Sequence, residues 1–219
     1  MTLEHAAVRE NLVKTTLKLM ETGGLETVRA REVARLTGVS VGTIYNLFGS
    51  FDQLIAVANG RIYEDLEAVG HSGAAEAEIR LRARVASGEV DGSARDLMRE
   101  RLVALGETYV QFVAANAGRW SALLAFNRTR GVSDSEENQQ HLAGLIGIIA
   151  GVLAEAPAWR SVDEQRLAAR ALWSAVHGIV TTNYFGPDSA EAQARTSRLL
   201  RLLITAVVDG AFAPVQSPK

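Results

Sequence analysis

REVARLTGVSVGTIYNLF, residues 31–48, holds two short helical patterns that meet at a glycine. Glu32–Leu36 is built of helix-forming residues with Val33 and Leu36 on one side. Gly38 supplies the positive-φ position that stops a helix or makes a tight turn. Ser40 then offers a hydroxyl to a free amide near Gly42 or Thr43, so a second helix starts almost where the first stops. The pattern is a helix-turn-helix. Ala34 is the small residue where the two helices nearly touch, and Ile44 is the branched apolar residue that pins the second to the first. Val33, Val39 and Leu47 fill the positions beside them. Ser40, Val41, Thr43, Tyr45 and Asn46 are left to face elsewhere. A helix that presents its N-terminal residues outward from a rigid corner is the geometry that reads a DNA major groove, although small helical bundles also contain glycine-turned corners.

The run GVSVGTIYNLFGS followed by FDQLIAVANG resembles the DNA-binding domain of the TetR family of transcriptional regulators. The family pattern is met at Gly38, Val39, Ser40, Gly42, Thr43, Tyr45, Phe48, Ser50 and Leu54, and the resemblance covers about 60 N-terminal residues. It implies that Thr43 and Tyr45 contact the DNA backbone. The chemistry of the other candidates is read from the residues themselves. Asn46 suits a bidentate contact to adenine, Val41 a thymine methyl group, and Gly42 a close approach of backbone to duplex. Ser40 caps the reading helix. Arg29 stands where the family commonly has Thr or Ser; it either binds phosphate by charge or faces solvent. Thr27 is the alternative cap for the second helix. Ser50 and Gln53 form a capping box for a fourth helix. Phe51 replaces a phosphate-supporting lysine, a departure that bears on the strength of DNA binding.

The chain has 219 residues, a net charge of -2 and no cysteine. Its charge argues against a nonspecific polyanion binder, while Arg29, Arg31 and Arg35 against Glu32 give the helix-turn-helix a local positive excess. Disulfides and thiolate metal sites are excluded, and the N-terminus has no apolar signal core, so a cytoplasmic protein is expected. No Gly-rich phosphate loop, Gly-x-Ser-x-Gly or His-Glu-x-x-His occurs. His5, His71, His141 and His177 lie far apart without a carboxylate at metal-ligand spacing. Neither an enzyme, nor a metal site, nor a cofactor is expected.

An all-α fold follows from the periodicity. A first helix is expected over Ala6–Met20, ended by Gly23-Gly24. A fourth helix runs from Phe51 toward Gly70. His71–Ala94, rich in glycine and small residues, reads as a linker with a marginal helix near Glu76–Val85. A long helix covers Leu97 to about Asn116, and Gly118 separates it from a short one containing Trp120, Leu123, Leu124 and Phe126. After a polar break at Arg128–Glu137, helices are expected over 136–153, 162–184 and 189–211. Leu142–Leu153 is apolar but only about 12 residues long, too short to span a membrane. Gly144, Gly147 and Gly151 share one face of it, where a neighbouring helix or a ligand can come close. Residues 1–50 are expected to form the DNA-binding domain and 51–219 a ligand-binding and dimerisation domain, with helix four (51–69) joining them.

The C-terminal part extends the resemblance. TYVQFVAANAGRWSALLAF is similar to a helix pair of many TetR-family ligand domains, and Trp173-x-x-x-His177-Gly178 resembles a motif of one subgroup. Trp173 and His177, four apart, share a helix face. The resemblance implies a homodimer through the last two helices, a palindromic double-stranded operator, and a small, largely apolar effector that displaces helix four. Tyr109, Phe112, Trp120, Phe126, Trp173, His177 and Asn183 are the candidate effector contacts, or else plain core. A helical interaction protein whose helix-turn-helix no longer binds DNA is the competing reading, kept open by Arg29 and Phe51.

Overall fold

Glycines at positive φ punctuate the N-terminal part of the computed structural model, and Gly38 (φ 73°) turns the chain between the second and third helices. The structure describes residues 3–130, 136–183 and 190–213. Among these every regular element is helical: α1 (Leu3–Gly23), a single 3-10 turn (Leu25–Thr27), α2 (Ala30–Thr37), α3 (Val41–Phe48), α4 (Phe51–Ala86), α5 (Ala94–Ala115), α6 (Ala117–Arg130), α7 (Glu136–Leu153), α8 (Val162–Asn183) and α9 (Ala190–Ala211). The chain is all-α. Of the break expected over Arg128–Glu137, residues 128–130 belong to α6 and 136–137 to α7, while 131–135 and the helix ends expected at Tyr184 and Ser189 lie outside the described residues. Among the described residues no helix is long and apolar enough to cross a membrane.

By packing, the chain divides into two compact units. One takes Met1–Asp65 with Ala115–His141, the other Leu66–Ala114 with Leu142–Lys219. Within the first unit, α6 packs with the N-terminal helices. Gly118 is the reason: a Cβ there would collide with the backbone carbonyl of Glu21, so only glycine lets α6 lie this close to α1. Arg119 donates to the Glu21 carboxylate at 3.1 Å. With Lys18, it holds that carboxyl below the usual glutamate range. Leu12, Val13, Met20, Ile44, Leu54, Trp120 and Leu123 are all buried in this unit.

The expected linker at 71–94 is corrected by α4, which continues unbroken from Phe51 to Ala86 and leaves only the short connection 87–93. Leu66, Gly70, Gly73, Ala77 and Leu81 are all buried and recur at helical spacing. The small residues are clearance for neighbouring helices. A Cβ on Gly70 would stand 3.2 Å from Leu145, and one on Gly73 2.6 Å from the Thr108 hydroxyl. Glu76–Arg80 and Glu78–Arg82 pairs at i,i+4 support the exposed side.

In the second unit, α9 packs on α8. Gly106 of α5 receives Leu200 of α9. Arg95 and Arg99 of α5 both reach Asp209 of α9, and Arg101 bridges Glu78 and Glu155. Gly144 of α7 meets the Glu67 carboxylate, whereas Gly147 and Gly151 have open space where a side chain would be, so the three glycines do not act as one packing face within the chain. On the outer side of α8 and α9, Leu167 and Leu202 are 70% and 69% exposed.

Candidate nucleic-acid interface and effector cavity

Local chemistry fixes the α2–α3 corner. Val33 and Ala34 of α2 and Ile44 of α3 are buried. Gly38 donates its N–H to the Ala34 carbonyl and closes α2. The Ser40 hydroxyl accepts from the Thr43 N–H at 3.0 Å and hydrogen-bonds the Thr43 hydroxyl at 2.9 Å, so α3 begins under a side-chain cap. With one face pinned, the rest of α3 turns outward. Gly42 and Asn46 are exposed, Tyr45 is 46% exposed, and Val41 and Thr43 are half-buried.

Two expectations here are corrected. Thr27 does not cap α2, since its hydroxyl donates to the Leu19 and Gly24 carbonyls. Arg29 is itself the N-cap residue, in extended conformation and without a side-chain cap bond; its exposed guanidinium donates to the Glu26 carbonyl. Leu36, expected on the same side of α2 as Val33, is 48% exposed, whereas Val33 is buried. A helix of two turns has one narrow contact stripe, and Val33 and Ala34 occupy it. Leu36 and Tyr45 thus leave apolar surface at the corner. Arg35 is tied to Glu32 at 2.6 Å, while Arg31 stays exposed. Ser50 accepts from the Gln53 N–H and starts α4, and Phe51 is half-buried.

Sequence reading missed Arg9. Its Nη1 donates to the Leu47 carbonyl at 3.1 Å, and its guanidinium carbon stands 4.2 Å from the centre of the buried Phe48 ring. The available signal was its register: Arg9, Leu12, Val13, Thr16 and Met20 fall on one stripe of α1, and an arginine on an apolar stripe needs a partner.

In the second unit, Tyr109 of α5 meets Trp173 and His177 of α8. The Tyr109 hydroxyl and His177 Nδ1 share a hydrogen bond of 2.8 Å. The Tyr109 and Trp173 rings are centred 5.0 Å apart, and Trp173 stacks on His177 at 5.8 Å. Burial pushes the His177 pKa below the ordinary histidine value, which favours a neutral ring. Two apolar cavities of about 50 and 40 Å³ share Leu105, Tyr109, Ile149 and Trp173 as wall. A larger polar cleft of about 570 Å³ runs between α4 and α5 past Arg80, Arg84, Glu100, Glu107 and Arg201. Thr108 lines both this cleft and the smaller cavity.

Of the seven candidate effector residues, the second unit brings together Tyr109, Trp173 and His177. Tyr109 and Trp173 line the cavities and His177 holds Tyr109. Phe112 is buried on α5 but lines neither cavity. Asn183 spends its amide on the Ile179 carbonyl and the Thr182 hydroxyl. Trp120 and Phe126 lie on α6, in the unit of the helix-turn-helix, which the helical spacing alone did not reveal.

Residues 12–58 match the model of the bacterial regulatory proteins of the tetR family, and residues 102–207 that of the tetracyclin repressor-like C-terminal domain. The transcriptional repressor KstR of Mycolicibacterium smegmatis is 30% identical over 146 residues, covering 63% of this chain and 70% of that protein. The chain belongs to the TetR family. As a TetR-family member it is a DNA-binding transcriptional regulator, and the capped α2–α3 corner is its helix-turn-helix. Solved structures share the fold. A Rhodococcus transcriptional regulator superposes with a TM-score of 0.62 at 20% identity, covering 94% of this chain and 98% of that one. FadR of Bacillus subtilis, solved in complex with stearoyl-CoA, gives 0.58 at 16% identity, covering 90% of this chain and 97% of that one.

Proposed function

We propose that this TetR-family chain is a repressor that reads a palindromic operator as a homodimer and is released by a small, largely apolar effector. The observation that carries the DNA half is α3: capped at Ser40, pinned through Ile44 and Phe48, it turns Gly42, Tyr45 and Asn46 outward. In this reading Asn46 takes adenine, Val41 a thymine methyl, and Thr43 and Tyr45 the sugar-phosphate backbone. Gly42 admits the duplex closely and Arg29 adds a phosphate contact.

The dimer reading rests on the outer side of α8 and α9. Leu167, Ala171 and Ala175 on α8 and Leu202, Ala206 and Gly210 on α9 recur at helical spacing and are exposed in the single chain. Such a stripe suits a two-fold, self-complementary contact. Two α3 helices related by that axis would enter successive major grooves, about 34–36 Å apart.

The effector reading rests on the cavity walls. They are apolar, with the Tyr109–His177 pair as the polar handle, and at about 50 and 40 Å³ they admit no sizeable ligand without opening. Opening must part α5 from its neighbours, and Gly70 of α4 lines the smaller cavity. Because α4 contributes residues to both units, a ligand that displaces it biases the DNA-reading unit. A differential affinity of about 1–3 kcal/mol between the two states suffices for about 5–150-fold coupling. The stearoyl-CoA of Bacillus FadR makes long acyl chains the first compounds to try.

The test is selection of binding sites from a random duplex library by the full-length protein, followed by titration of saturated acyl-CoA thioesters. A selected sequence with two-fold symmetry, bound two chains per duplex and released by an acyl chain, supports the proposal. Selected sites without symmetry would overturn the operator reading, and a complex indifferent to every chain length the effector reading.

A further inference from the structure

We infer that Arg9 is a positioning residue for DNA recognition, a strut from α1 that fixes the C-terminal end of the reading helix. The inference rests on α3 being the element that faces DNA. An eight-residue helix is too short to hold its own direction, and its two ends need separate anchors. At the N-terminal end the Gly38 turn and the Ser40 cap serve. At the C-terminal end the Gly49 N–H takes the Tyr45 carbonyl, and the Leu47 carbonyl belongs to the group that has no partner inside the helix. Arg9 Nη1 donates to that carbonyl at 3.1 Å from a half-buried position.

Its guanidinium also lies over the Phe48 ring, 4.2 Å from the centroid, where a planar cation is attracted to the aromatic face. The positive charge stands at the negative end of the helix dipole, which favours it again. Three terms thus converge on one side chain. Lysine reproduces the charge but neither the planar stacking nor the directed fork of donors. Loss of the strut frees α3 to tilt, and base-edge contacts, which demand register, suffer before phosphate contacts do.

The experiment measures anisotropy of full-length wild type, Arg9→Lys and Arg9→Ala on the duplex selected by wild type and on a scrambled duplex of equal length, over a range of salt. The strut predicts that both variants lose about tenfold or more in affinity for the selected duplex, with binding to the scrambled duplex within about twofold. The slope of log affinity against log salt stays that of wild type. Were Arg9 a phosphate contact, the slope would fall by about one in Arg9→Ala and Arg9→Lys would bind as wild type; that result overturns the inference. Equal losses on both duplexes, or no loss on either, overturn it as well. Should Arg9→Ala be unfolded at the assay temperature, Arg9→Lys alone decides by the same criteria. The reading of α3 is judged apart from this, by whether Tyr45→Ala in an otherwise wild-type chain keeps its affinity for the selected duplex.

Discussion

The Tyr109 hydroxyl and His177 Nδ1 lie 2.8 Å apart, joining α5 to α8 beside the apolar cavities. Tyr109→Phe keeps the ring packing and removes the polar partner of a half-buried imidazole, at a cost of about 1 kcal/mol. Thermal melting should fall by about 2–4 °C for a chain of this size. Unchanged melting would mean that the pair adds nothing to stability.

The same pair sets a pH dependence. Burial lowers the folded-state pKa of His177 below its ordinary value near 6.5. As pH falls through that value the unfolded chain takes up a proton that the folded chain refuses, so this residue's contribution is complete above it and declines on the acid side. Between about pH 7.5 and about pH 5.5, wild type should lose more melting temperature than His177→Gln. Parallel curves would contradict a buried neutral histidine.

Gly73→Ala tests the close approach of α4 to α5. The new methyl group would stand 2.6 Å from the Thr108 hydroxyl, which is committed to the Ala104 carbonyl. Overpacking of about 1–3 kcal/mol outweighs a helix-propensity gain of about 1 kcal/mol, so melting drops. Gly147→Ala, at an exposed position of α7 with nothing within reach of a new methyl group, should instead stabilise by about 0.5–1 kcal/mol.

Gly118→Ala drives a methyl group into the Glu21 backbone carbonyl, which cannot rotate away as a side chain would. Loss of about 1–3 kcal/mol is expected in chemical denaturation, with weaker specific DNA binding because α1 also carries the α2–α3 corner. A variant as stable as wild type would show that α6 is not held to α1 at this point.

Leu202→Glu places a carboxylate in the middle of the exposed α8–α9 face. Light scattering after gel filtration should show a dimer for wild type and a monomer for the variant, with the helical circular dichroism unchanged. A dimer that survives the substitution would move the interface elsewhere.

What could be read in the sequence was what local chemistry decides. Gly38 and Ser40 act on their immediate neighbours, so the corner and its outward residues were legible, and Trp173 and His177 share a face by spacing alone. Tertiary packing decided the rest. Gly70 looks like a helix end and Gly73 like part of a linker until Leu145 and Thr108 occupy the space they leave, which is why α4 is longer than its composition suggests. Trp120 and Phe126 have the spacing of any buried aromatic pair; Gly118 placed them with α1, and no periodicity encodes that partner. Val33 and Leu36 share a side by spacing, yet Val33 is buried and Leu36 exposed, because a helix of two turns has a narrower contact stripe than a longer one.

The most direct test of the account is the affinity of Tyr45→Ala and Asn46→Ala for the duplex selected by wild type, measured where melting temperature and dimer mass match wild type. Each should lose about tenfold or more in specific binding, with Asn46→Ala also relaxing the preference at one base pair in each half-site at about 1–3 kcal/mol. Binding and selectivity equal to wild type in both variants would show that α3 does not read DNA through this face.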